Sequence, residues 1–195
     1  MTASSPSSAM NPRPASAGLR SVHARILRQL ALMAELARGP EPELAARDPA
    51  VSGWSVAEQL EHLVLVDRGV LKSVGRILDD PRRAPTGINL VGRVVLGTGF
   101  LPRGRARATA PYHPGAAPAA AVRAGIPEIA RGARELAPRL GELEASGGRA
   151  RHPRFGELGG RQWLRFMAVH HHHHLKIVRD IRRARGLATA GLPSR

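Results

Sequence analysis

The fold of this chain is set by a helical pattern in residues 163–183, WLRFMAVHHHHHLKIVRDIRR. At roughly 100° per residue, its large apolar side chains fall within about 120° of one another. Arginines occupy the opposite side. The pattern predicts an amphipathic helix from about Arg161 to Arg185 that ends at Gly186. One of the two glycines before Arg161 is the predicted N-cap.

Five consecutive histidines lie inside this helix, whereas a purification tag normally lies at a terminus. His170 and His174 fall within the apolar arc. The other three are His173 at its edge, His171 at the opposite edge and His172 on the far side. Residues four apart on a helix have Cβ atoms about 5–6 Å apart, so both imidazoles can bind one metal ion. The pattern favours a metal site of which these two histidines form one half. The alternative is a pair of hydrogen-bonded core histidines or a low-complexity tract without a role.

Two more helices are predicted in the first half of the chain. Apolar residues recur at helical spacing over residues 19–37, before Gly39-Pro40 stops the pattern. Ser55 and Glu58 form a capping box, with Trp54 before it as a candidate hydrophobic staple. An apolar stripe follows this box and predicts a second helix that ends near residues 79–81.

The rest of the chain supplies a long connection and a third helix. Residues 90–96 form a short apolar run, predicted as one or two helical turns, within a connection over residues 81–118. A third helix is predicted over residues 126–145, with Pro127 in its first turn and Pro138 kinking or dividing it. We see no convincing strand. The predicted fold is all-α, a four-helix bundle whose long connection between helices 2 and 3 allows parallel neighbours.

Composition limits the class of protein. A chain of 195 residues suits one domain. It has no cysteine, so a metal site must use His, Asp or Glu ligands. The net charge of +15 would suit nucleic acid, an anionic membrane or an acidic small molecule. Because no recognised nucleic-acid-binding motif accompanies this charge, we do not expect a nucleic-acid partner.

The ends of the chain carry no membrane signal. No apolar run approaches the ~20 residues that a membrane span requires, so no membrane partner is expected. The first residues lack the apolar segment of a signal peptide. These features predict a cytoplasmic protein with a disordered tail over residues 1–15, a folded domain over 16–186 and a frayed end over 187–195.

A complete metal site needs a third ligand, and the remaining histidines are the candidates. His62 lies at the border of the apolar stripe of the second helix, where it would face an adjacent helix. His23 lies on the apolar face of the first helix and is typical of a packed structural histidine. His113 and His152 each precede a proline and are predicted to be loop residues.

Two segments resemble the DinB-like (YfiT-like) superfamily. Residues 54–63, WSVAEQLEHL, resemble the "WS…HL" second helix of that family. Residues 152–158, HPRFGEL, followed by Trp163 and the histidines from His170 onward, resemble its "HPxFGxL…W…HxxHHL" ending. The resemblance covers most of residues 50–185. It departs at the glycine pair before Arg161, where the family usually has Thr or Ser.

The resemblance implies a four-helix bundle in which three histidines bind a divalent metal such as Zn, Ni, Fe or Mn. Carried over position by position, these are His62, His170 and His174, which selects His62 over His23. It also implies a metal-dependent hydrolase or a transferase of low-molecular-weight thiols, acting on a small-molecule substrate such as a thiol. The alternatives are a non-catalytic, metal-stabilised binding domain and, less favoured, a basic nucleic-acid-binding protein.

Two further residues are candidates for a catalytic role. His173 is one residue off the ligand face and would support the ligands or act as a general base. Glu58 lies one helical turn before His62. A solvated residue at the edge of the bundle is the favoured alternative for both. The basic loop over residues 103–107 is a candidate for holding an anionic substrate, with a solvated linker as its favoured alternative.

Overall fold

The computed structural model describes residues 14–82, 86–103 and 110–194. Residues 1–13 of the predicted tail and residues 104–107 of the predicted basic loop lie outside these ranges. The helices are α1 (Ala17–Ala37), α2 (Glu41–Ala45), α3 (Val56–Asp79), α4 (Leu90–Thr98), α5 (Pro118–Glu135), α6 (Leu140–Ala145) and α7 (Gly160–Ala184). One antiparallel hairpin joins β1 (Ala150–His152) to β2 (Gly156–Leu158). The all-α prediction is confirmed. Among the described residues, the short helix α2 and this small hairpin are elements that the prediction did not include.

Helices α1, α3, α5 and α7 form the bundle. Each of α1 and α3 packs against both α5 and α7. Gly125 of α5 lies against Val64 of α3, and Gly132 lies against Leu71. The second contact is seven residues, about two turns, further along both helices. These two helices therefore run parallel. The long connection between them makes this parallel arrangement possible.

The capping box at the start of α3 is formed as the sequence predicts. The Glu58 backbone N–H donates to Ser55 Oγ at 3.2 Å, and the Ser55 N–H donates to Glu58 Oε2 at 2.6 Å. These bonds satisfy N–H groups that the first helical turn leaves without partners. The apolar stripe beyond the box is buried in the bundle core. The cap therefore fixes the residue at which α3 begins, and with it the position of His62 two turns later.

The third bundle helix begins earlier than predicted. It starts at Pro118, and Pro127 lies in its interior instead of its first turn. Pro127 is solvent-exposed, so water can reach the Arg123 carbonyl that loses its helical hydrogen bond. The start of α5 is rich in alanine and contains a glycine at residue 125. It therefore lacks the alternation of large apolar and polar residues that predicts an amphipathic helix. The predicted division at Pro138 is confirmed, because a 3-10 turn there separates α5 from α6.

The hairpin before α7 corrects the prediction that His152 is a loop residue. His152 is the last residue of β1. Its Nδ1 accepts the backbone N–H groups of Arg154 and Phe155, both at 3.2 Å. Gly156 follows with a φ of +80°, a left-handed conformation that favours glycine. Strands of three residues are too short to show an alternating pattern, so the sequence did not reveal them.

Helix α7 begins at the predicted glycine. The Gly159 N–H donates to Gln162 Oε1 at 2.9 Å. This is the half of a capping box that a glycine N-cap can form, because glycine has no side chain to accept an N–H group of the first turn. The helix ends at Ala184, followed by Gly186 with a φ of +69°. No helix among the described residues combines the length and apolar composition required to span a bilayer.

Candidate metal centre

Helices α3 and α7 bring three histidines together. The ring centroids lie 5.1 Å apart for His62 and His170, 4.7 Å for His62 and His174, and 4.6 Å for His170 and His174. One nitrogen atom from each ring lies within 4.8 Å of those of the other two. These are the three histidines that the sequence and the resemblance selected. The fourth candidate, His23, lies elsewhere and has its Nε2 atom 2.7 Å from the Ala133 carbonyl oxygen.

The tautomer of His62 is fixed by a backbone carbonyl. Its Nδ1 atom lies 2.8 Å from the Tyr112 carbonyl oxygen. Because a carbonyl oxygen only accepts hydrogen bonds, Nδ1 carries the proton and donates it. The Nε2 lone pair is then available to a metal. A ligand histidine typically donates its other ring N–H to such an oxygen, which fixes the ring orientation.

His174 is held in the same way by a side chain of α3. Its Nδ1 atom donates to Gln59 Oε1 at 2.6 Å. The Gln59 amide is oriented in turn by Ser52, because Gln59 Nε2 donates to Ser52 Oγ at 2.8 Å. A chain of hydrogen bonds therefore runs from the loop before α3 to the imidazole of α7, and leaves the His174 Nε2 lone pair available.

His170 has bonding capacity that the described residues do not use. Its Nδ1 atom is buried and has no hydrogen-bond partner among them. The ring stacks against Phe166, with centroids 5.2 Å apart and an interplanar angle of 25°. An unpartnered polar atom in the interior carries a free-energy cost of about 1–3 kcal/mol. With two pre-oriented imidazoles beside it, this donor set fits a divalent cation.

Burial keeps the three imidazoles neutral. Desolvation lowers the pKa of His62, although the Tyr112 carbonyl and the Asp67 charge oppose this shift. Desolvation also lowers the pKa values of His170 and His174 well below their ordinary value, and the neighbouring histidines add to the effect. Metal ligation requires neutral imidazoles. The site therefore presents its ligands in the protonation state that a metal needs at neutral pH.

An aromatic side chain covers one side of the cluster. The Trp54 ring lies 5.1 Å from the His62 ring and 5.8 Å from the His113 ring. Trp54 directly precedes the Ser55 cap, so the capping box fixes the backbone from which this indole extends. The sequence predicted Trp54 as a staple for the helix, and the structure places its ring against His62 of the cluster.

His173 lies beside the cluster. Its ring centroid is 5.0 Å from that of His174, and the residue is half-buried. Burial and the nearby Arg103 guanidinium lower the pKa of His173 to about 4, against an opposing hydrogen bond with the Leu101 backbone. The imidazole is therefore neutral at pH 7 and able to accept a proton, although such a low pKa makes it a weak base.

Glu58 is engaged at the start of α3. Its Oε2 atom accepts the Ser55 N–H and also an Arg47 N–H, each at 2.6 Å. Burial alone would raise the pKa of this carboxyl group, but these partners outweigh it and lower the pKa. The catalytic roles of Glu58 and His173 stay predictions.

A buried polar pair that the sequence patterns did not reveal lies between α3 and α7. His171 Nε2 lies 2.7 Å from Asp67 Oδ2, and neither side chain is exposed to solvent. Burial raises the pKa of Asp67, and the His171 imidazole opposes that shift. One signal was present in the sequence, because Asp67 interrupts an apolar stripe between Leu63 and Val70. An acidic residue in such a stripe requires a buried partner.

Comparison with known families agrees with this arrangement. A family model described as the DinB superfamily matches residues 19–178. The chain belongs to the DinB superfamily. The match covers the bundle from α1 into α7 and includes all three clustered histidines. No curated protein and no solved structure significantly matches this DinB protein.

Proposed function

We propose that this DinB protein uses a divalent metal, held by His62, His170 and His174, in a hydrolase or low-molecular-weight thiol transferase reaction. The observation that supports the proposal most strongly is the pre-oriented donor set. Two imidazoles donate Nδ1–H to fixed oxygen acceptors, and the third has an unpartnered buried nitrogen. Membership of the DinB superfamily agrees with metal binding and leaves the reaction open.

Three neutral histidine ligands leave coordination positions open, so a bound metal would supply Lewis acidity to water, a carbonyl group or a thiol. The side chains around it have separate tasks. Trp54 flanks the His62 ring and Phe166 flanks the His170 ring, so both would help to position the ligands. His173 is the proposed proton acceptor, because its ring is neutral and lies beside that of His174. Glu58 could act only if its carboxylate left the cap.

Metal content tests the first half of the proposal. The protein is purified without a tag and without a metal column, because five adjacent histidines would collect metal from the resin. We expect about one metal per chain in the wild type and a loss in His62→Ala and His170→Ala. His172→Ala is the matched control, since it shortens the histidine run outside the cluster. Equal metal content in all four proteins would contradict the proposed site.

Turnover tests the second half. The metal-loaded wild type is assayed with an ester and amide panel, and separately with electrophiles and low-molecular-weight thiols. We expect turnover in one panel that falls by at least about 10–100-fold in His62→Ala, with helical content retained by circular dichroism. If the metal-loaded wild type acts on neither panel, the enzymatic part of the proposal is wrong.

A second candidate function is a metal-stabilised binding domain without catalysis. The observation that favours it is that the candidate ligands come from two different helices. A metal bound to His62 of α3 and His174 of α7 would cross-link these helices of the bundle. Metal would then raise thermal stability strongly while both substrate panels gave no turnover. Turnover, measured beside thermal stability with and without metal, therefore separates the candidates.

A further inference from the structure

The Asp67–His171 pair lies between the two helices that carry the clustered histidines. His171 directly follows His170 on α7, and Asp67 follows His62 by five residues on α3. The two side chains are wholly buried and are joined through Asp67 Oδ2 and His171 Nε2 at 2.7 Å. Because the carboxylate only accepts, His171 Nε2 donates the hydrogen bond.

Stability alone is a poor explanation for this pair. Asp67 Oδ1 and His171 Nδ1 are both buried without a hydrogen-bond partner in the described part of the chain. A buried polar pair with unsatisfied atoms is costly, and well-packed apolar residues in its place are often neutral or more stabilising. Buried polar pairs are best attested as devices that fix the register of two packed elements.

The geometry of the interface shows which register would be fixed. Among the described residues, Gln59 and Asp67 of α3 hydrogen-bond to α7, and they lie about 4.5 Å before and about 7.5 Å after His62 along the helix axis. Their partners on α7 are His174 and His171. Apolar contacts alone tolerate small rotations of one helix on another, whereas a metal site needs its ligands within about 0.5 Å and 10–20° of the productive geometry.

We propose that the Asp67–His171 hydrogen bond is a positioning device that fixes the rotation of α7 on α3, so that His170 and His174 meet His62 in metal-binding geometry. This inference rests on the proposed metal binding. Asp67 and His171 themselves contact neither substrate nor metal. They act through the placement of the ligand-bearing helix.

The test replaces the pair by apolar residues in the full-length chain, as Asp67→Val/His171→Leu. Affinity for Co(II) is measured by chelator competition, and the visible d–d spectrum of the Co(II) protein reports ligand geometry. Thermal unfolding of the metal-free chain is followed in parallel. We expect unchanged or higher stability, about 10–100-fold weaker Co(II) binding and an altered spectrum. Wild-type affinity and spectrum in the double variant would overturn the proposal.

Gln29→Leu is the matched control. Gln29 is another buried polar residue that contacts α7, and its Nε2 atom donates to the Ala168 carbonyl at 3.1 Å. It lies on α1, however, and makes no link between α3 and α7. We expect Co(II) affinity within about twofold of the wild type. An equal loss in this control would mean that any buried polar deletion weakens the site, which would also overturn the proposal.

If the double variant does not fold, Asp67→Asn and Asp67→Ala give the same comparison. The Asn amide oxygen can accept the His171 N–H, whereas Ala cannot. We expect Asp67→Asn to bind Co(II) at least about 10-fold more tightly than Asp67→Ala, and equal affinities would overturn the inference. A wild type that binds no Co(II) would refute the proposed function and this inference together. Tight binding by every variant would refute only the inference.

Discussion

Gln59 and His174 are joined by a 2.6 Å hydrogen bond that crosses from α3 to α7. Because Ser52 accepts the amide N–H of Gln59, the carbonyl end of that amide faces the imidazole. The Nδ1–H tautomer of His174 is therefore selected by a residue that precedes His62 by only three positions. One short segment of α3 supplies both a ligand candidate and the group that orients another.

Gln59→Leu should weaken metal binding without unfolding the protein. The variant keeps the approximate volume of the side chain but removes the acceptor for His174 Nδ1–H. We expect about 10–100-fold lower metal affinity in a chelator competition. Gln59→Glu is the control, because its carboxylate can still accept this hydrogen bond and should preserve most of the affinity. Equal affinities for the Leu and Glu variants would show that this bond does not support the site.

Metal removal should lower the melting temperature. A ligand at 100 times its dissociation constant stabilises the folded state by about 2.7 kcal/mol, and about 1 kcal/mol corresponds to about 2–4 °C for a chain of this size. We therefore expect EDTA to lower the melting temperature by about 5–10 °C relative to Zn-loaded protein. His170→Ala should show no such difference in calorimetry. A similar EDTA effect in that variant would place the stabilising metal elsewhere.

His152 should make stability depend on pH. Burial, with a smaller effect of Arg154, lowers its pKa from 6.5 to about 4. The unfolded chain then binds the proton more readily than the folded chain does. The stability that the folded chain gains from keeping His152 neutral is therefore complete above about pH 6.5, and it is lost as the pH falls toward about 4. The loss is about 3 kcal/mol at about 1.4 kcal/mol per pKa unit.

The measurement compares wild type with His152→Asn between pH 7.5 and about pH 4, by urea denaturation with a chelator present throughout. Asn can still accept the backbone N–H groups of the hairpin turn, but it does not titrate. The other buried histidines titrate in both proteins and cancel in the difference. The stability advantage of the wild type should shrink as the pH falls. A difference that stays constant with pH would contradict the assignment to His152.

Much of the bundle and the three clustered histidines could be predicted because their signals are local. The Ser55 capping box and the apolar arc of α7 are periodic features within one helix, and His170 and His174 are four residues apart. His62 needed outside information, because its position at the border of a stripe did not distinguish it from His23. The family resemblance supplied that choice.

The missed features depend on contacts between distant segments. His171 lies at the edge of the apolar arc, where a helical wheel does not show whether a neighbouring helix covers it. In the structure it is buried where α7 packs on α3, and its partner Asp67 lies more than 100 residues earlier in the chain. The Tyr112 carbonyl that orients His62 is a backbone atom, and no side-chain pattern reveals it. The early start of α5 could not be predicted, because its alanines and Gly125 form no recognisable pattern by themselves. Their small size has a role only in the close packing of α5 against α3.

Gly125→Ala should destabilise the bundle at that contact. A Cβ atom at Gly125 would lie 2.5 Å from Val64 Cγ1, closer than packed carbon atoms approach. Helices α3 and α5 would have to separate, and overpacking of this kind costs about 1–3 kcal/mol. Gly75→Ala is the matched control on α3, because a Cβ atom there meets nothing within 4 Å and alanine is the better helix former. Denaturant unfolding should show a loss for Gly125→Ala and a gain of up to about 1 kcal/mol for Gly75→Ala. If both substitutions stabilised the protein, the close approach of α3 and α5 would be wrong, and with it the packing that carries His62 toward α7.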